Sequence, residues 1–105
     1  MDLESRTKMS TDTEHFLAGI VKALPALISL TCPTYNSLKR LMPDASVGAT
    51  VGWGLESKEA PLRVLPRQKN IELKTLDHTA NHYFVLAAIL NIGRIGITEK
   101  LVLPE

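Results

Sequence analysis

The sequence predicts an α+β domain in which two main helices pack against a partial antiparallel sheet. Three observations predict it: an apolar helix face over residues 16–28, two short segments of alternating polarity at 61–65 and 71–76, and a second apolar helix at 81–92. The chain has 105 residues, of which 45% are hydrophobic and 22% charged, a composition typical of one small globular domain. We expect a disordered tail at residues 1–10 and a folded unit over residues 11–105.

The first helix is predicted from a capping signal followed by an apolar stripe. Thr11 and Glu14 have the three-residue spacing of a capping box. The apolar residues that follow, from Phe16 onward, recur at the spacing of one helix face. We expect Pro25 to kink or break this helix, and we expect the helix to end near Leu30. Residues 33–43 then leave room for about two helical turns between two prolines.

The strand segments carry charges at alternating positions. A short strand is predicted at 49–53, followed by two longer ones, in which Arg63, Glu72 and Lys74 alternate with mostly apolar residues. If the two longer strands pair, these three charges lie on one face of the sheet. The cluster could bind an anionic substrate, with further cations at Arg40 and Lys58. An ordinary solvated face with a surface ion pair is the alternative.

The last helix is apolar on nearly all sides. Its sequence from residue 83 to 90 is Tyr-Phe-Val-Leu-Ala-Ala-Ile-Leu, and such a helix requires burial on more than one side. We expect Gly93 and Gly96 to end it. The pattern indicates that more protein belongs around this helix than 105 residues supply.

Charge and cysteine content exclude several classes of protein. A net charge of +1 gives no electrostatic footprint for nucleic acid or for an anionic membrane. Cys32, the single cysteine, cannot form an internal disulfide, which favours a reducing compartment. The most apolar stretch, residues 16–32, is interrupted by Lys22 and Pro25 and falls short of a spanning helix. We therefore expect a cytoplasmic protein without nucleic-acid or membrane partners.

Four ordered sequence blocks resemble the catalytic domain of the glutamine synthetase family. Residues 15–27 resemble the helix that precedes the active-site strands, and residues 36–43, Asn-Ser-Leu-Lys-Arg-Leu-Met-Pro, resemble the family's Asn-Ser-Tyr-Lys-Arg-Leu-x-Pro. Residues 53–63 resemble Trp-Gly-x-Glu-Asn-Arg-Glu-Ala-Pro-Leu-Arg. Residues 71–90 resemble the Glu-x-Arg/Lys strand and the Ala-Asn-Pro-Tyr helix that follows it. The form of the third block is similar to the glutamine-synthetase-like branch of plants, fungi and bacteria.

The resemblance implies a reaction and a set of roles. The family joins glutamate to ammonia or another amine through a γ-glutamyl phosphate, with ATP and Mg²⁺ or Mn²⁺, in a homo-oligomer. By motif position Arg40 and Lys74 would bind substrate, Lys58 and Arg63 would contact nucleotide phosphates, and Glu72 would bind metal. The chemistry needs cations around the phosphates and a clamp for the carboxylate.

The resemblance also implies an incomplete site. Lys58 stands where the family has Arg, Ser57 replaces Asn, and His82 replaces Pro. Residues 43–48 lack the family's flap glutamate, for which Asp44 is a weak substitute. The family's other metal ligands and its N-terminal domain lie outside these motifs, and one carboxylate cannot hold the metals. No complete catalytic set is therefore expected.

These departures leave three hypotheses open. The first is a partial glutamate–amine ligase, inactive alone. The second is a non-enzymatic interaction or structural protein derived from the family. The third is an unrelated small α+β domain that binds an anion on its sheet face.

Overall fold

The computed structural model describes residues 9–41 and 51–104, without the side chain of Arg40. Three predicted features lie wholly or partly outside the described residues: residues 1–8 of the tail predicted at 1–10, the segment around Asp44, and residues 49–50 of the strand predicted at 49–53. The described part contains helices α1 (Thr11–Thr31), α2 (Tyr35–Leu38) and α3 (His82–Thr98), and strands β1 (Trp53–Leu55), β2 (Leu62–Leu65) and β3 (Asn70–Leu73). Short 3₁₀ turns occupy Lys39–Leu41 and Pro66–Gln68. The α+β class predicted from the sequence is confirmed.

The three strands form one sheet in the order β1-β2-β3. Strands β2 and β3 pair antiparallel, as predicted, with Leu62 opposite Leu73 and Leu65 opposite Asn70. Strand β1 pairs with β2 in parallel, so the described sheet is mixed. The turn between β2 and β3 closes at Lys69, whose φ of 51° is left-handed.

The N-cap of helix α1 lies one residue earlier in the chain than the sequence predicts. Ser10 is the N-cap, and its hydroxyl accepts a hydrogen bond from the backbone N–H of Thr13 at 3.2 Å. The predicted capping box at Thr11 and Glu14 is therefore wrong, because Thr11 already lies inside the helix. A kink or a break was expected at Pro25, and the break is absent, since α1 runs through Pro25 to Thr31.

Helix α3 is longer than predicted. It continues past the expected end at residue 92 to Thr98, and Gly93 and Gly96 lie inside it. The expectation that these glycines end the helix is wrong. They instead allow α3 to pack closely against α1. A Cβ on Gly96 would lie 2.3 Å from the carbonyl oxygen of His15 in α1, and one on Gly93 would lie 2.0 Å from the Phe16 ring. Only glycine lets the two helices approach this closely.

The core lies between α1, α3 and the sheet. Leu17 and Leu24 of α1, Leu62 and Val64 of β2, and Leu103 after α3 are each at most 1% exposed. Among the described helices, α1 is long and apolar enough by length and composition to cross a membrane, a test that core helices also pass. Its buried face belongs to this core.

The outer face of α3 is uncovered. Tyr83 is 86% exposed, Phe84 63%, Leu86 57% and Leu90 54%. Burial of each such side chain stabilises a protein by about 1.5–3 kcal/mol, so an apolar face of this size in water is unfavourable. The prediction that α3 needs more protein around it agrees with this exposure.

Candidate functional site

The pairing of β2 with β3 brings two of the predicted site residues into contact. Arg63 and Glu72 occupy directly opposite positions in the antiparallel register. Their side chains form an ion pair, with Nη1 of Arg63 3.9 Å from Oε2 of Glu72. The Arg63 side chain is 26% exposed and that of Glu72 is 45% exposed, so the ion pair is partly accessible to solvent. The alternation in the sequence predicted that these charges share one sheet face.

Lys74 and Lys58 join the same region through the loop that precedes β2. The backbone N–H of Lys74 donates to the carbonyl oxygen of Pro61 at 2.8 Å, which extends the strand pairing by one step. The Lys74 ammonium donates to the backbone carbonyl of Lys58. This contact ties the backbone of the loop to the end of β3. We use the name sheet-face cluster for Arg63, Glu72, Lys74 and the neighbouring loop residue Lys58.

Ser57 shapes the loop that carries Lys58. Its hydroxyl accepts hydrogen bonds from the backbone N–H groups of Glu59 and Ala60, both at 3.3 Å. Such a side-chain bond to the backbone two or three residues on stabilises a turn, and the short polar chain of Asn can form it too. The Ser57 that replaces the family's Asn therefore retains a turn-forming function. The Lys58 side chain projects from this turn and is exposed.

The Arg63 guanidinium has hydrogen-bonding capacity that the described residues do not use. Its Nε is buried and has no hydrogen-bond partner in the described part of the chain. The contact of 3.9 Å from Nη1 to Glu72 is an ion pair but is too long for a hydrogen bond. A planar guanidinium with open donors is suited to a phosphate or carboxylate group.

Arg40 is the predicted site residue whose side chain lies outside the described part of the chain. Its backbone lies in the 3₁₀ turn Lys39–Leu41, directly after α2, and its side chain is not described. Helix α2 begins with a capping box in which Thr34 and Ser37 bond each other's backbone N–H groups. The expected helical segment between the two prolines is confirmed, but the position of the Arg40 guanidinium stays a prediction.

The described residues do not fit a divalent metal centre. Residues 9–41 and 51–104 contain no group of three or more His, Cys, Asp or Glu side chains placed to bind one ion. Glu72 supplies a single carboxylate, whereas Mg²⁺ and Mn²⁺ sites take about six ligands, mostly oxygen. The described residues alone therefore do not supply the ligand set that the resemblance implies.

The histidines occupy structural positions. His15 is half-buried, and its Nδ1 donates to the carbonyl oxygen of Leu101 at 2.7 Å. His82 is the first residue of α3, after the N-cap Asn81, whose side chain accepts from two backbone N–H groups. That first position favours proline, which is the residue the family motif carries there.

An open cavity not predicted from the sequence lies beside α2. It has a volume of about 410 Å³ and is lined by Thr34, Asn36, Ser37, Leu76, Asp77, His78 and Thr79. Its residues come from two segments about 40 positions apart, and no periodicity or motif spacing in the sequence links them.

Comparison with known proteins identifies the family. Residues 1–105 match the model of the glutamine synthetase catalytic domain. The chain belongs to the glutamine synthetase family. It is 37% identical to the gamma-glutamylpolyamine synthetase of Streptomyces coelicolor, over 96% of this chain and 23% of that protein. It is 40% identical to the glutamine synthetase of Pyrococcus woesei over 83% of this chain and 20% of the relative.

A eukaryotic relative gives the same result. The type-1 glutamine synthetase 1 of Dictyostelium discoideum is 34% identical over 98% of this chain and 22% of its own length. The chain therefore spans about a fifth of the length of these relatives. The assignment of the four sequence blocks to a glutamine synthetase catalytic domain is confirmed.

Proposed function

We propose that this chain is the phosphate-binding part of an ATP-dependent glutamate–amine ligase and that it is inactive without further protein. The observation that carries the proposal is the sheet-face cluster. The cluster brings together charged residues of two paired strands and the neighbouring loop, and its four members match positions in two ordered family motifs. An ordinary solvated sheet face with one ion pair would give no reason for its charged residues to match the family's motif positions.

The proposed reaction has two steps on glutamate. The side-chain carboxylate attacks the terminal phosphorus of ATP, which forms an acyl phosphate and releases ADP. The amine then attacks the acyl carbon and expels inorganic phosphate, leaving an amide. Cations that surround the transferred phosphoryl group stabilise its charge in the first step.

In this proposal each residue has a distinct part. Arg63 and Lys58 contact the phosphates of ATP, and Lys74 holds the substrate or the transferred phosphoryl group. Arg40 binds the substrate carboxylate. Lys58 supplies a point charge rather than a planar fork, so Arg63 provides the directional contacts.

The amine and the assembly belong to the same proposal. The names of the relatives cover two products, glutamine and gamma-glutamylpolyamine, so ammonia and a polyamine are the two amine candidates. The divalent metal, its ligands and the oligomer contacts would come from protein equivalent to the remaining four-fifths of the relatives. The exposed outer face of α3 supports the need for such additional protein. We place the reaction in the cytoplasm.

ATP binding by the purified chain tests the proposal. Isothermal titration calorimetry should detect binding to the wild type and a loss of about ten-fold or more in the Arg63→Met variant, because a charge-assisted hydrogen bond contributes about 1.5–3 kcal/mol. Arg67→Met is the matched control, since it removes an exposed arginine from the turn after β2. Equal weakening by both substitutions, or no binding by the wild type, would refute the proposed phosphate site.

A further inference from the structure

Glu72 occupies a position in this structure that does not suit a metal ligand. The carboxylate lies opposite Arg63 in the β2–β3 ladder and forms an ion pair with its guanidinium. The described residues supply no second carboxylate for a shared ion at this position. A divalent cation bound by Glu72 alone would be repelled by Arg63 and would lack most of its oxygen ligands.

We propose that Glu72 is the counter-ion of Arg63 in this chain and that it competes with incoming phosphate groups for the guanidinium. Phosphate binding at the sheet-face cluster then needs no divalent cation, and Glu72 weakens it. This inference rests on the proposed function, because it concerns the same cations, but it predicts the opposite role for Glu72 from the one that the family motif implies.

The strand register places Arg63 and Glu72 opposite each other. Arg63 pairs with Glu72 in the register, and the neighbouring pair Val64–Ile71 belongs to the core side of the sheet. Because a shift of one residue would turn the apolar side chains toward solvent, the register is fixed and the two charges stay opposite each other. The ion pair follows from the fold rather than from side-chain rotamers alone.

The strength of the ion pair allows an anion to displace it. A separation of 3.9 Å with side-chain exposures of 26% and 45% describes a solvent-screened pair. Such ion pairs contribute little free energy, so a polyphosphate with several charges can replace one carboxylate at Arg63.

The experiment measures tripolyphosphate binding to the full chain in a buffer that contains a chelator of divalent metals. We expect the Glu72→Gln variant to bind tripolyphosphate about two- to five-fold more tightly than the wild type, the range expected when one screened charge pair is removed. Glu99→Gln is the matched control, because it removes the same charge from the exposed residue after α3 and should leave the affinity unchanged. Far-UV circular dichroism verifies that both variants keep the wild-type fold.

The outcomes separate this inference from the proposed function. If the wild type binds tripolyphosphate and Arg63→Met abolishes it, but Glu72→Gln gives no gain, the counter-ion role is overturned and the phosphate site stands. If the wild type does not bind tripolyphosphate, both are overturned. Micromolar Mn²⁺ binding by the wild type that is lost in Glu72→Gln, measured by electron paramagnetic resonance, would also overturn the counter-ion role.

Discussion

Replacement of Gly96 by alanine tests the packing of α1 against α3. The new Cβ would lie 2.3 Å from the carbonyl oxygen of His15 and 3.1 Å from the Cα of Gly19. Both atoms belong to the backbone of α1, so no side-chain rotation can relieve the overlap. The two helices would have to move apart by about 1 Å to restore ordinary van der Waals contact.

The net effect is the difference between two opposing terms. Alanine in place of glycine inside a helix is intrinsically favourable by about 1 kcal/mol. Overpacking of a closely packed contact costs about 1–3 kcal/mol, and a backbone clash belongs at the upper end of that range. We expect the free energy of unfolding to fall by about 2 kcal/mol, which lowers the melting temperature of a chain of this size by about 8–15 °C.

Thermal and urea unfolding followed by circular dichroism at 222 nm measure this change. Gly52→Ala is the matched control, because a Cβ at Gly52 meets no heavy atom within 4 Å, and we expect a change within about 0.5 kcal/mol there. If Gly96→Ala is as stable as the control, or more stable through its helix propensity, α1 and α3 do not cross at this glycine and the packing argument fails.

Three further predictions concern α3 and the thiol. Asn81→Ala removes the N-cap of α3 and should lower the free energy of unfolding by about 1 kcal/mol, whereas Asn91→Ala on the exposed side of the helix should change it by less than about 0.5 kcal/mol; urea melts compare the two. His82→Pro should leave stability unchanged or raise it by up to about 1 kcal/mol, because the first helical position suits proline, and a marked loss in a thermal melt would contradict the assignment of Asn81 as cap. Cys32 is 5% exposed, and its thiol donates to the carbonyl oxygen of Thr75 at 3.1 Å. A thiol-specific reagent should therefore label Cys32 only as fast as the chain opens. Labelling of the folded chain at the rate seen in urea would refute the burial of this thiol.

The sequence predicted the elements whose pattern has one physical explanation. The alternation around Arg63 and Glu72 predicts a sheet face because a period of two has no helical interpretation. The antiparallel register that places these residues opposite each other follows from the short turn between their strands. The apolar stripe of α1 was equally direct, because a period near 3.6 residues indicates a buried helix face.

The wrong predictions concern residues that serve two purposes. Gly96 can end a helix or allow close helix contact, and the sequence does not show that α1 presents Gly19 opposite it. Ser10 and Thr11 are both good N-caps, so the backbone conformation decides between them. Pro25 interrupts the hydrogen bonding of α1 locally, but burial of the flanking Leu24 and Leu27 compensates for that loss.

The candidate site was predicted as a set of residues but not as a contact network. The sheet face that holds Arg63 and Glu72 follows from strand periodicity, whereas the bond from Lys74 to the loop at Lys58 depends on how residues 56–61 turn back. Such loop geometry carries no period in the sequence. The open cavity beside α2 was missed for the same reason.

The central claim, that this chain holds part of a ligase site and cannot complete the reaction alone, is tested most directly by ADP release. The purified chain is incubated with ATP, Mg²⁺, glutamate and either ammonium or a polyamine, and ADP is quantified alongside ATP binding under the same conditions. The account predicts ATP binding that depends on Arg63, with no ADP above the rate of a blank. Glutamate-dependent ADP release that the Arg63→Met substitution abolishes would contradict the claim of incompleteness, and absence of ATP binding would favour a non-enzymatic member of the family.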